Sequence, residues 1–115
     1  MKKILIAEHS SAMTVALTET LGHKYAVFIC RGSCLTTAIE SLCPDALIVN
    51  VTLIGIDGLR KICGTANMPP VIFIITNILT EQLILTAQEV GVNYIARIPF
   101  SLDAMAQQLD NLLDK

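Results

Sequence analysis

The sequence predicts a doubly wound α/β fold, with parallel strands at the centre and helices on both faces. Three observations predict it. Short apolar runs alternate with amphipathic stretches along the whole chain of 115 residues, the pattern of repeated strand–helix units. Some runs are apolar at every position, as in Ala46-Leu47-Ile48-Val49 and Val71-Ile72-Phe73-Ile74-Ile75. Strands without polar alternation belong to a parallel sheet covered on both sides. Serines and threonines that start helices, and glycines and prolines that stop them, fall at the junctions this alternation needs.

The elements follow in order. Lys3-Ile4-Leu5-Ile6-Ala7 is the first strand. Ser10 or Ser11 caps a helix that carries Met13, Leu17 and Leu21 inward at four-residue spacing and closes at Gly22. Tyr25-Ala26-Val27-Phe28-Ile29 is the second strand, and Ser33 caps a second helix that ends near Leu42, before Pro44. Ala46 to Val49 is a central third strand. A loop through Gly55 leads to a short helix from about Gly58 to Ala66, and Pro69-Pro70 end that connection. Val71 to Ile75 is the fourth strand. Thr80 caps a helix that runs to Val90 and closes at Gly91. Tyr94 to Ile98 is a shorter fifth strand. After Pro99, Ser101 caps a last helix with Leu102, Met105, Leu109 and Leu112 on one stripe.

Five such units imply right-handed crossovers and the flavodoxin-like strand order 2-1-3-4-5. A site then lies at the C-terminal ends of strands one and three, where the winding reverses. That topology brings Glu8, His9, Asn50 and Thr76 to one end of the sheet. A chain of this length reads as one domain over residues 1–115, large enough to fold without a disulfide or metal.

Composition narrows the function classes. The formal net charge is −2 and the eight basic residues are scattered, so a direct nucleic-acid interface is not expected. No stretch reaches the length of a membrane span and none has a signal-peptide pattern, which points to a cytoplasmic protein. The four cysteines, Cys30, Cys34, Cys43 and Cys63, form no CxxC pair and read as buried or half-buried thiols. Apolar residues make up 53% of the chain. A buried sheet accounts for part of that, and the remainder points to apolar surface that a partner or a second copy covers.

The chain resembles the receiver domain of two-component response regulators over essentially its whole length. KKILIAEHS resembles the opening strand of that family, which ends in an acidic pair. PDALIVNVTLIGIDGL resembles the phosphoacceptor strand and the loop after it. VIFIIT resembles the fourth strand with its terminal hydroxyl, and GVNYIARIPF the fifth strand, which ends in a lysine before Pro-Phe. The resemblance implies a signalling role, but three of the chemically required positions depart from the pattern. Asn50 occupies the phosphoacceptor position, and a neutral amide is not a nucleophile toward phosphorus. Glu8 and His9 occupy the acidic pair, leaving one carboxylate where the resemblance implies three. Magnesium prefers several hard anionic oxygens, so its binding is expected to be weak or absent and no cofactor is assigned. Ile98 falls at the lysine position and can donate nothing. Thr76 survives as the switch hydroxyl, while the switch aromatic falls at Ile95, with Tyr94 beside it.

These losses together imply a phosphorylation-independent pseudo-receiver with no catalytic residue, acting through protein contacts or dimerisation. The resemblance puts the partner face on 81–90, 94–97 and 104–111, with Leu79, Leu85, Tyr94 and Arg97 as candidates. The partners it implies are a histidine kinase, an output domain or a second copy. The loop Leu53-Ile54-Gly55-Ile56 is a second apolar candidate. Each residue also has a plainer reading. Asn50 and Thr76 satisfy strand-end backbone, His9 faces solvent or caps a helix, Asp57 begins the short helix as its cap or first-turn acid, and Arg97 is a surface charge with a packed stem. Two other chemistries use the same cleft. One is an unconventional phosphoacceptor, with Glu8 as nucleophile or Asn50 deamidated. The other is a small-molecule sensor in a neutral pocket lined by Ile98, Thr76 and Asn50. There is no Gly-rich phosphate loop after the first strand and no nucleophile elbow, so an enzyme of another class is not expected.

Overall fold

The computed structural model describes residues 1–31 and 34–114. Ten elements alternate in order: β1 (Lys3–Ala7), α1 (Ser11–Leu21), β2 (Ala26–Cys30), α2 (Leu35–Leu42), β3 (Ala46–Asn50), α3 (Val51–Cys63), β4 (Val71–Thr76), α4 (Glu81–Val90), β5 (Tyr94–Arg97) and α5 (Leu102–Leu113). The sheet is wholly parallel in the order β2-β1-β3-β4-β5. Strands β3 and β4 are buried at every position, which is why their sequences show no alternation.

Side-chain alternation along each strand divides the core into two layers. Ile4, Ile6, Ile48, Phe73 and Ile75 face α1 and α5, meeting Leu17, Leu21, Met105, Leu109 and Leu113. Leu5, Leu47, Val49, Ile72 and Ile74 face α2, α3 and α4, meeting Leu35, Ile39, Leu59, Ile62 and Leu83. Each fully buried side chain of this size contributes roughly 1.5–3 kcal/mol of transfer free energy. On α5 the four-residue spacing buries Leu113, whereas Leu112 of the expected stripe is half-buried.

The helix ends follow the expected capping with two exceptions. Ser10, Thr80 and Ser101 each accept a hydrogen bond from the backbone N–H three residues on. Gly91 ends α4 at φ 87°, a conformation that glycine adopts without steric cost. Ser33, expected to cap α2, lies outside the described residues; Cys34 stands at the N-cap of α2 and makes no side-chain cap bond. The second exception is the start of α3. The loop expected after β3 is already helical: Val51 begins α3 directly, with Asn50 as its N-cap. A break at Gly55 (φ 68°, ψ 177°) divides that helix, because backbone there occupies a region essentially reserved to glycine. The helix then ends at Cys63, before Ala66. Asp57 is exposed within this helix, two residues past the break, where it stands in the first turn that follows and is not a cap. Leu53, Ile54 and Ile56 are half-buried rather than a loop surface, and Ile54 and Ile56 pack on the second core layer.

Candidate functional site

The sheet register assembles the cleft. Ala7 pairs with Val49, so Glu8 and Asn50 lie side by side one position further on. Asn50 pairs with Ile75, which sets Thr76 just beyond it, and Thr76 pairs with Arg97. The N–H of Ile98 donates to the Thr76 carbonyl at 2.8 Å. Glu8, Asn50, Thr76 and Ile98 thus share one end of the sheet.

Glu8 is 2% exposed. A buried carboxylate is costly unless hydrogen bonds replace its water. Three donors do so here. The Asn50 amide Nδ2 donates to Glu8 Oε2 at 2.8 Å. The backbone N–H groups of His9 and Ser10 donate to Glu8 Oε1 at 2.9 and 3.1 Å. Glu8 also precedes the N-terminus of α1, where the helix dipole favours negative charge.

Asn50 is 5% exposed and satisfied at both ends. Its Oδ1 accepts from the Thr52 backbone N–H at 3.0 Å and from the Thr52 hydroxyl at 2.7 Å. The side chain therefore ends β3, caps α3 and holds the buried carboxylate. An aspartate in the same position would meet the first two demands but not the third, because it has no donor for Glu8.

The remaining cleft residues are engaged locally. The Thr76 hydroxyl donates to the Ile78 carbonyl at 2.7 Å and accepts from the Ile78 N–H at 3.2 Å. The imidazole of His9 faces solvent, with Nδ1 3.5 Å from Glu8 Oε1. Among the described residues, no group of three or more His, Cys, Asp or Glu side chains comes together to hold a metal.

Asn50, Thr76 and Ile98 do not line one pocket, contrary to expectation. Thr76 borders a hollow of about 260 Å³ with Val51, Thr52, Gly55 and Leu83. Ile98 borders a separate apolar hollow of about 300 Å³ between the start of α1 and Pro99-Phe100. The Asn50 side chain, drawn toward Glu8 and Thr52, lines neither.

Solved structures share this architecture. A response regulator from Thermotoga maritima superposes with a TM-score of 0.84 at 16% identity, covering 100% of this chain and 99% of the other. The BeF3-activated N-terminal receiver domain of Klebsiella pneumoniae RstA gives 0.84 at 18%, covering 99% and 100%. A response regulator receiver domain from Bermanella marisrubri gives 0.81 at 21%, covering 96% and 97%. The fold is that of a receiver domain. No family model and no curated protein sequence matches the chain.

Of the residues expected to be exposed on the candidate partner face, some are. Of the consecutive Leu83, Ile84 and Leu85, the first is buried, the second half-buried and the third 56% exposed. Leu79 and Arg97 are exposed as well. Tyr94 is not an exposed patch residue. It is half-buried, and its ring lies 5.0 Å from that of Phe73, its register partner on β4. Two apolar features escaped sequence reasoning. Ile78, 72% exposed, follows the Thr76 turn; the signal for it was its position past the strand, where no face is covered. Val15, Phe28 and Ile29 are exposed beside the β2 edge, and the lack of any charge in β2 was the signal there. Cys34 and Cys43 are exposed, so the reading of all four thiols as buried or half-buried holds only for Cys30 and Cys63. No helix among the described residues is long and apolar enough to cross a membrane.

Proposed function

We propose that the chain is a phosphorylation-independent receiver-like module, one domain over residues 1–115, that acts through protein contacts and has no enzymatic activity of its own. The observation that carries this reading is the Asn50–Glu8 hydrogen bond of 2.8 Å. The Asn50 amide stands against the one carboxylate that would otherwise face a cation. Both oxygens of Glu8 are already taken by N–H donors, and this donor set does not fit magnesium, which asks for several free anionic oxygens in octahedral array. Neither Asn50 nor Ile98 supplies what phosphoryl transfer needs, namely a nucleophile and a cationic donor. The Thr76 hydroxyl is held in its own turn rather than free to follow a phosphoryl group.

The partner is a protein: a histidine kinase, an output domain or a second copy, met through Leu79, Leu85 and Arg97. Nucleic acid and membrane are not direct partners in this reading, and no metal or cofactor is required. The test is incubation with acetyl phosphate and magnesium, read by intact mass and by amide chemical shifts with beryllofluoride. Unchanged mass and unchanged shifts around Glu8 and Asn50 are expected. A gain of one phosphoryl group, or saturable shifts there, would overturn the proposal in favour of an unconventional phosphoacceptor.

A further inference from the structure

Beside this cleft, Cys30 ends β2 and Cys34 precedes α2, and their sulfurs lie 3.0 Å apart. A disulfide bond is about 2.05 Å long, so about 1 Å of approach separates contact from bond. The two sulfurs differ in access: Cys30 is 4% exposed, and Cys34 is open to solvent. Cys34 is also available to turn, since its side chain makes no cap bond to α2. The other two thiols lack such a neighbour. Cys43 directs its Sγ toward the Glu40 carbonyl at 3.5 Å, and Cys63 is half-buried, with burial raising its thiol pKa, which lowers its reactivity.

We propose that Cys30 and Cys34 form a reversible dithiol–disulfide pair whose oxidant is a hydroperoxide. The exposed Cys34 thiolate attacks the peroxide O–O bond. An S–O bond forms, the O–O bond breaks, and the departing oxygen takes a proton to leave as alcohol or water. Cys30 loses its proton and attacks the Cys34 sulfur; the S–S bond forms, the S–O bond breaks and the oxygen leaves as water. The two thiols give up two electrons and two protons to one peroxide, and a dithiol reductant reverses the change by exchange. The pair adjoins the carboxylate site through the backbone, since the Glu8 N–H donates to the Cys30 carbonyl at 3.3 Å. This inference stands apart from the phosphorylation reading, because neither sulfur belongs to the Asn50 network.

The test treats the intact chain with hydrogen peroxide, alkylates all remaining thiols under denaturing conditions and maps tryptic peptides. Trypsin cuts after Arg31 and so separates the two cysteines, Cys30 on peptide 25–31 and Cys34 on peptide 32–60. The expected result is one cross-linked pair of these peptides, about 2 Da below the sum of the reduced pair, with fragmentation assigning the bond to Cys34 rather than Cys43. Cys43 and Cys63 stay alkylated, and dithiothreitol dissolves the cross-link. In Cys34→Ser the cross-link disappears and Cys30 is fully alkylated. Sulfinic or sulfonic acid on Cys34 with Cys30 still alkylated overturns the proposal. So does a bond that uses Cys43 or Cys63, or persistence of the cross-link in Cys34→Ser.

Discussion

The side-chain amide of Asn50 donates to the buried carboxylate of Glu8 at 2.8 Å, closing the end of β3 onto the end of β1. Position 50 is therefore a donor site, and substitutions there act first on stability.

Asn50→Asp replaces that donor with a second carboxylate against Glu8. Repulsion and the lost hydrogen bond are expected to destabilise the chain by about 1–3 kcal/mol at neutral pH. The loss shrinks as pH falls and one of the two carboxyls takes a proton. Urea titrations at neutral and mildly acidic pH measure it. The same variant is expected to stay unphosphorylated with acetyl phosphate and magnesium, because Ile98 and His9 remain.

The double variant Glu8→Gln with Asn50→Asp reverses the polarity of the pair. The introduced glutamine amide would donate to the introduced aspartate, and its carbonyl would still accept from the His9 and Ser10 N–H groups. Recovery of stability to within about 1 kcal/mol of the parent is expected, against the sum of two losses if the sites acted independently. A double-mutant cycle by urea denaturation gives the coupling.

The Tyr25 hydroxyl donates to Asp110 Oδ1 on α5. Burial, and then the Asp110 hydrogen bond and charge, push its phenol pKa well above the ordinary value of 10.0. The protonated phenol is favoured in the folded chain. Its contribution is thus fully present below the unfolded pKa and lost as pH rises past it. Stability is expected to fall with pH from about pH 10 upward. Lys24, whose pKa is raised first by its hydrogen bond to Asp114 and then by Asp110, adds a slope of the same sign. Tyr25→Phe should remove the phenol's share and cost roughly 1 kcal/mol below pH 9. Thermal melts across that range check both.

Gly55 breaks α3 at φ 68° and ψ 177°, and a Cβ built there meets nothing within 4 Å. The cost of Gly55→Ala is therefore backbone strain alone, about 1–3 kcal/mol. A Gly55→Ala loss well under about 1 kcal/mol would argue against that assignment, whereas Gly58→Ala, whose Cβ would meet Ile54 Cβ at 2.7 Å, is expected to lose stability through a clash and not through positive φ. Chemical denaturation of both variants decides.

Leu85→Glu touches a side chain 56% exposed, so stability should change by no more than about 0.5 kcal/mol. If α4 carries the partner face, affinity for a captured partner or for a second copy falls at least tenfold. Sedimentation or titration calorimetry supplies the measurement.

The strands were legible because a doubly covered sheet demands unbroken apolar runs, and Thr80, Ser101 and Gly91 marked their helix ends through chemistry that acts within four residues. What escaped depends on contacts made across the fold. Topology brings Asn50 and Glu8, 42 residues apart, to one end of the sheet, but the hydrogen bond between them follows only from the β1–β3 register. Tyr94 reads as surface on an edge strand, and only its pairing with Phe73 on β4 accounts for its ring. The plain reading of Asn50, a hydrogen bond to backbone past the strand end, holds at the Thr52 N–H; that this backbone is already the first turn of α3 was not legible. Glycine at 55 signals a loop, whereas the chain uses its freedom to bend a helix. The approach of Cys30 to Cys34 is a side-chain contact that no spacing rule encodes.

The amide at residue 50 also works as a ratchet. A chain that acquired an acid at residue 50 alone would pass through a less stable form, because the new carboxylate would face Glu8 with no donor between them. An acid at residue 50 is thus opposed by the carboxylate already beside it, and drift by single substitutions tends to keep the amide.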